Sequence, residues 1–116
     1  MSIVPAEPDH GCGLRLEPRA LGLGYRHGSD TLLVLLDLAS HAKDSPEGIV
    51  VTASYRDVAR RLGVSKDTVG RRIAVLRGAG VVAELSSDLV DRFESRSYRL
   101  YLDFAGIARE QAPIDP

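Results

Sequence analysis

The stretch YRDVARRLGVSKDTVGRRIAVLRGAGVV, Tyr55 to Val82, decides the fold. Ser54, immediately before it, is an N-cap residue, and Asp57 three positions on gives the spacing of a capping box. Val58, Ala59 and Leu62 supply an apolar face to the short helix that follows. Gly63 ends that helix, because glycine accepts the left-handed conformation of a sharp helix stop. Ser65 caps a second helix, in which Val69, Ile73 and Leu76 recur at i, i+4 and i+7, and Gly78-Ala79-Gly80 stops it. The pattern predicts two short helices joined by the tight turn Gly63-Val64-Ser65.

Working outward, Ser29 and Asp30 offer a cap for an earlier helix reaching about Lys43. Leu32, Leu35, Leu36 and Ala39 form its apolar stripe, and Leu33 and Leu38 widen it. The run Lys43 to Gly48 reads as a turn and Ile49 to Thr52 as a β-branched strand. Beyond the central stretch, Val81 to Leu85 reads as a strand. Tyr98, Leu100 and Leu102 alternate with Arg99, Tyr101 and Asp103 in another. Phe104 to Gln111 predicts a short terminal helix. Met1 to Gly13 is rich in proline, glycine and charge and reads as a flexible arm. The Leu14/Leu16 and Leu21/Leu23 alternations suggest short extended pieces. The division expected is an arm over 1–28, partly flexible, a folded unit over 29–103, and a tail or short helix over 104–116.

The chain of 116 residues suits one compact domain, and 44% hydrophobic residues make one core feasible. With no Trp, 2 Phe and 4 Tyr, that core is aliphatic. Net charge is -1, but Tyr55 to Gly78 holds seven basic residues against two acidic ones, so this segment carries +5 and the rest -6. A phosphate backbone senses the local patch within a Debye length of about 8–10 Å rather than the total. The arginines there also have a bland reading as solvated faces, with Asp57–Arg61 and Asp67–Arg71 paired at i, i+4.

The quoted segment resembles the winged helix-turn-helix family of bacterial regulators. The pattern D-V-A-x-x-L-G-V-S-x-x-T-V-x-R-x-I-x-x-L-x-x-A-G-V carries the likeness. The expected fold is α+β: a three-helix core with a small antiparallel β-hairpin wing. The resemblance implies that the helix Lys66 to Arg77 recognises DNA and that the hairpin is a wing on the backbone or minor groove. Leu32 to Ala42 is also similar to the first helix of winged domains in plasmid replication initiators.

The candidate DNA-binding residues on the recognition helix are Ser65, Lys66, Asp67, Thr68, Gly70, Arg71 and Arg72. Tyr55, Arg56 and Arg60 join them from the helix before, and Arg96 from the wing. Arginine grips guanine edges or phosphates with two parallel hydrogen bonds, which fits Arg71 for a base and Arg72 for phosphate. Gly70 has two open readings, an accident of sequence or close approach of the backbone to DNA. In the wing, Asp88, Asp91 and Glu94 oppose phosphate, and Leu89, Val90 and Phe93 are more apolar than a solvated tip needs. That leaves a protein partner at the wing as a second use, with Arg92, Arg96 and Arg99 available for DNA.

The leading expectation is sequence-specific binding of double-stranded DNA by a homodimer acting as a transcriptional regulator. Leu14 to Leu23 and Phe104 to Ala108 are its candidate dimer elements. One alternative is a plasmid or phage protein of replication or partition, and another is a winged-helix protein-interaction module. No enzyme, cofactor or metal is expected: His10, Cys12, His27 and His41 match no compact ligand spacing. Gly22-Leu23-Gly24 lacks the third glycine and the Rossmann unit of a dinucleotide loop. A single cysteine, no signal peptide and no membrane span point to the cytoplasm.

Overall fold

The computed structural model describes residues 12–85 and 95–111. The elements in chain order are β1 (Cys12–Leu16), α1 (Pro18–His27), α2 (Ser29–Ser40), β2 (Lys43–Ser45), β3 (Gly48–Ser54), α3 (Tyr55–Leu62), α4 (Lys66–Gly78), β4 (Val82–Glu84), β5 (Ser95–Leu100), α5 (Leu102–Ala105) and β6 (Ile107–Gln111). Helices α2, α3 and α4 pack on one another, and a four-stranded antiparallel sheet in the order β2-β3-β5-β4 flanks them. This is the α+β winged helix-turn-helix arrangement, with β4 and β5 following α4 as the hairpin.

The caps of α3 and α4 act as the sequence requires, whereas α2 has Gly28 as its N-cap, with no side-chain cap bond, and ends at Ser40 rather than near Lys43. Ser54 Oγ accepts a hydrogen bond from Asp57 N at 3.0 Å, and Ser65 Oγ accepts one from Thr68 N at 3.1 Å. Each satisfies a backbone donor that the first helical turn leaves open. Gly63 sits at φ 74°, and its N–H donates to Ala59 O at 2.8 Å. The turn between α3 and α4 is therefore fixed from both sides.

The core lies where these elements converge. Val34, Leu35 and Leu38 of α2, Val58 of α3, and Val69, Ile73 and Leu76 of α4 are buried. Val51, Tyr98 and Leu100 meet them from the sheet, with Val51 opposite Tyr98 and Leu100 between Ile49 and Val82. Burial of each such aliphatic side chain stabilises the fold by about 1.5–3 kcal/mol. Leu33, by contrast, remains half exposed, so the α2 stripe is narrower than its leucine count suggests.

Several local expectations are corrected. Leu21 and Leu23 lie in helix α1, not in an extended piece: Pro18 opens the helix, and Ala20 and Leu23 are buried on its inner face. Lys43 to Ser45 is not merely turn but strand β2, paired with the start of β3 around a two-residue tip. The terminal helix begins at Leu102, which with Asp103 was expected in the preceding strand, and stops after one turn at Gly106, φ 83°, where the chain continues as β6. Strand β6 pairs antiparallel with β1, from Cys12–Gln111 to Leu16–Ile107. Finally, the apolar residues of Leu14 to Leu23 and Phe104 to Ala108 are mostly not spare. Leu23, Ala105 and Ile107 are core, and Leu14 and Leu16 pack against it. Of the flexible arm expected over Met1 to Gly13, Cys12 and Gly13 belong instead to strand β1, and residues 1–11 lie outside the described residues, as does the wing tip at 86–94 with its acidic, apolar and Arg92 side chains.

Candidate nucleic-acid interface

Helix α4 divides cleanly. Val69, Ile73 and Leu76 are buried against α2 and α3, which leaves Lys66, Asp67, Arg71 and Ala74 exposed along the opposite side with Gly70 between them. Ser65 and Thr68 are joined at the helix start, their hydroxyl oxygens 2.9 Å apart. Arg71 has no ion-pair partner among the described residues, and neither has Arg56 on the first turn of α3.

Tyr55 leads α3 and lies beside this exposed side. A Cβ built on Gly70 would stand 3.1 Å from Cε2 of the Tyr55 ring. The glycine therefore has a structural reason that neither sequence reading supplied: it makes room for an aromatic ring. That ring is held at its far end by Tyr98, whose hydroxyl donates to the Tyr55 hydroxyl at 3.3 Å. Burial and this hydrogen bond push the Tyr98 phenol well above the ordinary tyrosine range. Arg96 lies over the Tyr55 ring with its guanidinium carbon 6.0 Å from the centroid. Tyr55, Lys66, Asp67, Gly70, Arg71 and Ala74 together line a shallow depression of about 330 Å³ on the outer side of α4.

The remaining basic residues of the central stretch have partners. Arg61 grips Asp37 of α2 with two bonds, Nε–Oδ1 at 2.9 Å and Nη2–Oδ2 at 2.8 Å. The bond to Asp37 holds its guanidinium above the usual value. The expected Asp57–Arg61 pair is replaced by this one, and Asp57 pairs instead with Arg60 at 3.2 Å. Arg72 turns towards the start of α2, where Nη1 donates to Thr31 Oγ1 at 3.3 Å and Nε lies 3.7 Å from Asp30. Glu84 of β4 collects Arg96 at 3.0 Å and Arg77 at 3.6 Å, and raises the Arg96 guanidinium above its ordinary value chiefly through that hydrogen bond. The +5 of the segment is thus partly neutralised by acids from elsewhere in the fold.

Of the residues expected at the site, Tyr55, Lys66, Asp67, Gly70 and Arg71 share one surface, with Arg96 stacked beside Tyr55. Arg60 and Arg72 are drawn into ion pairs, and Arg72 faces α2. Two positioning residues escaped the sequence reading. Asp37 carried a signal, since it is the single acid inside the leucine-rich run Leu32 to Leu38. Thr31 carried none.

Among the described residues, no helix is long and apolar enough to cross a membrane. No curated protein and no solved structure matches the chain. Residues 28–82, from the glycine before α2 to the start of β4, match the family model described as a helix-turn-helix domain. The two capped helices, the glycine turn between them and the uncovered side of the second agree with that match, so residues 28–82 form a helix-turn-helix domain of the DNA-binding kind.

Proposed function

We propose that the protein binds specific sites on double-stranded DNA as a transcriptional regulator, with α4 in the major groove. The observation that carries the reading is the outer side of α4, where Lys66, Asp67 and Arg71 stand exposed around Gly70 while the apolar residues face the core. A major groove accommodates one helix, and base edges there present the donor and acceptor code that such side chains read. Arg71 is assigned to a base edge, and Ser65, Thr68, Arg56 and Arg60 to the phosphate backbone. Arg72 is assigned to positioning α4 on α2. The unit proposed to dock is residues 29–103, working in the cytoplasm.

A single small module supplies little contact area, whereas specific DNA interfaces bury about 1,000–2,500 Å² of protein surface. We therefore propose a homodimer on a two-fold site. Leu21 and Tyr25, one turn apart on α1, offer the surface for it, because Tyr25 is 92% exposed.

The test is binding of genomic duplex fragments across a salt series. Neutralising about 4–8 phosphates per dimer gives a log–log slope near -0.9 for each phosphate. Sequencing the retained fragments then supplies the operator. Absence of binding at low salt rejects the reading.

A further inference from the structure

We infer that the depression between Tyr55 and α4 is a seat for the C5-methyl group of a thymine in the bound site. The inference rests on the proposal that α4 enters the major groove, and it names one base that the groove must present.

Gly70 contributes no side chain, the Tyr55 ring packs closely beside it, and Ala74 adds a methyl group. Lys66, Asp67 and Arg71, all exposed, complete the lining. Such a surface suits an apolar group carried on an anionic polymer, since Lys66 and Arg71 can meet phosphates and polar base edges beside the apolar part formed by Tyr55, Gly70 and Ala74. In the major groove, the thymine methyl is the apolar group that base edges present. At about 330 Å³ the depression is wide enough for a methyl together with the base edge bearing it.

The seat is also built in advance. The Tyr55 hydroxyl is tethered to Tyr98, which is fully buried, and Arg96 covers the ring. Little side-chain ordering remains to be done on docking, so burial of the methyl is realised in full.

The experiment uses the whole chain and the tightest duplex recovered from the genomic selection. Each thymine is replaced in turn by deoxyuridine, which removes the methyl and leaves every hydrogen-bonding group, and Kd is read by fluorescence anisotropy at fixed salt. The expected result is about a fourfold loss at one thymine per bound α4, the fold-change equivalent to about 0.8 kcal/mol for one buried methyl-sized group. Ala74→Ser, an exposed substitution, places a hydroxyl in the seat and should abolish the thymine–deoxyuridine difference at that position. A flat scan overturns the inference, as does a methyl effect that persists undiminished in Ala74→Ser. Tighter binding on 5-methylation of a cytosine, with no thymine effect, overturns the assignment to thymine. Failure to retain any duplex removes the underlying DNA reading, which differs visibly from binding with a flat scan.

Discussion

The Tyr55 ring occupies the space that a side chain at Gly70 would need, with Cε2 3.1 Å from the position of an added Cβ. Helix propensity alone would make alanine better than glycine here by about 1 kcal/mol. We expect Gly70→Ala to gain clearly less than that, because the ring must yield by a few tenths of an ångström. In a Tyr55→Ala background the same change should recover the full gain. Urea denaturation of the four proteins gives the coupling directly. Equal gains in both backgrounds would show that the ring is not the constraint.

Arg71 and Arg72 are adjacent in sequence and differ in surroundings. Arg71→Ala should leave stability within about 0.5 kcal/mol, as for exposed positions. It should reduce discrimination between the selected site and random duplex by about 1–3 kcal/mol. Arg72→Ala should lower stability, because it removes the tie from α4 to Thr31 and Asp30. Thermal melts and competition binding on the same samples separate the two. Identical profiles would contradict the division of labour.

The Arg61–Asp37 pair fastens α3 to α2. The Asp37 side chain is only 8% exposed and the Arg61 side chain 39%, so solvent screens one partner far more than the other. Arg61→Ala is expected to cost about 1–2 kcal/mol, within the range for a shielded polar group left without its partner. DNA affinity, measured well below the melting temperature, should hardly change. A large loss of affinity with intact stability would move Arg61 into the interface.

Tyr98 supplies a pH dependence of known sign. The folded protein holds its phenol protonated above the ordinary range, while the unfolded chain ionises near pH 10, as tyrosine does. Stability from this difference is fully present below about pH 10 and declines as pH rises further, because the native state then binds more protons than the unfolded state. Tyr98→Phe should flatten the alkaline decline. At neutral pH it should cost about 0.5–1.5 kcal/mol for the lost bond to Tyr55. Denaturation midpoints between pH 7 and 11 are the check, and parallel curves for the two proteins would refute it.

Light scattering on the intact protein should report a dimer at micromolar concentration. Leu21→Ser with Tyr25→Ser, both on the exposed side of α1, should shift it to monomer without lowering the melting temperature. A monomer in the unsubstituted protein, free and DNA-bound, would exclude the homodimer.

Much of the helical unit was legible because local rules decided it. Ser54 and Ser65 mark their helix starts, Gly63 marks a stop, and the i, i+4, i+7 spacing of Val69, Ile73 and Leu76 names the buried side of α4. The inward alternation of Tyr98 and Leu100 was equally plain. What sequence periodicity could not reveal depended on distant partners. Leu21 and Leu23 alternate like strand residues, yet packing against the core selects a helix opened by Pro18. Ile107 to Gln111 becomes a strand because β1 lies beside it, a pairing across almost the whole described chain. At the interface, the residue types and the exposed side of α4 were visible in the repeat. The counter-charges of Asp37 and Asp30 and the fit of Tyr55 to Gly70 required the folded contacts.

The β1–β6 pairing has a mechanical side. The two strands run antiparallel, and Cys12 and Gln111 form their outermost pair. Tension applied through the two chain directions at that point acts across the ladder rather than along it. The five pairs would open successively, like a zipper, instead of resisting together in shear. The domain is thus a hoop with a weak clasp, and under load the clasp should release before the helices that carry α4 feel the force.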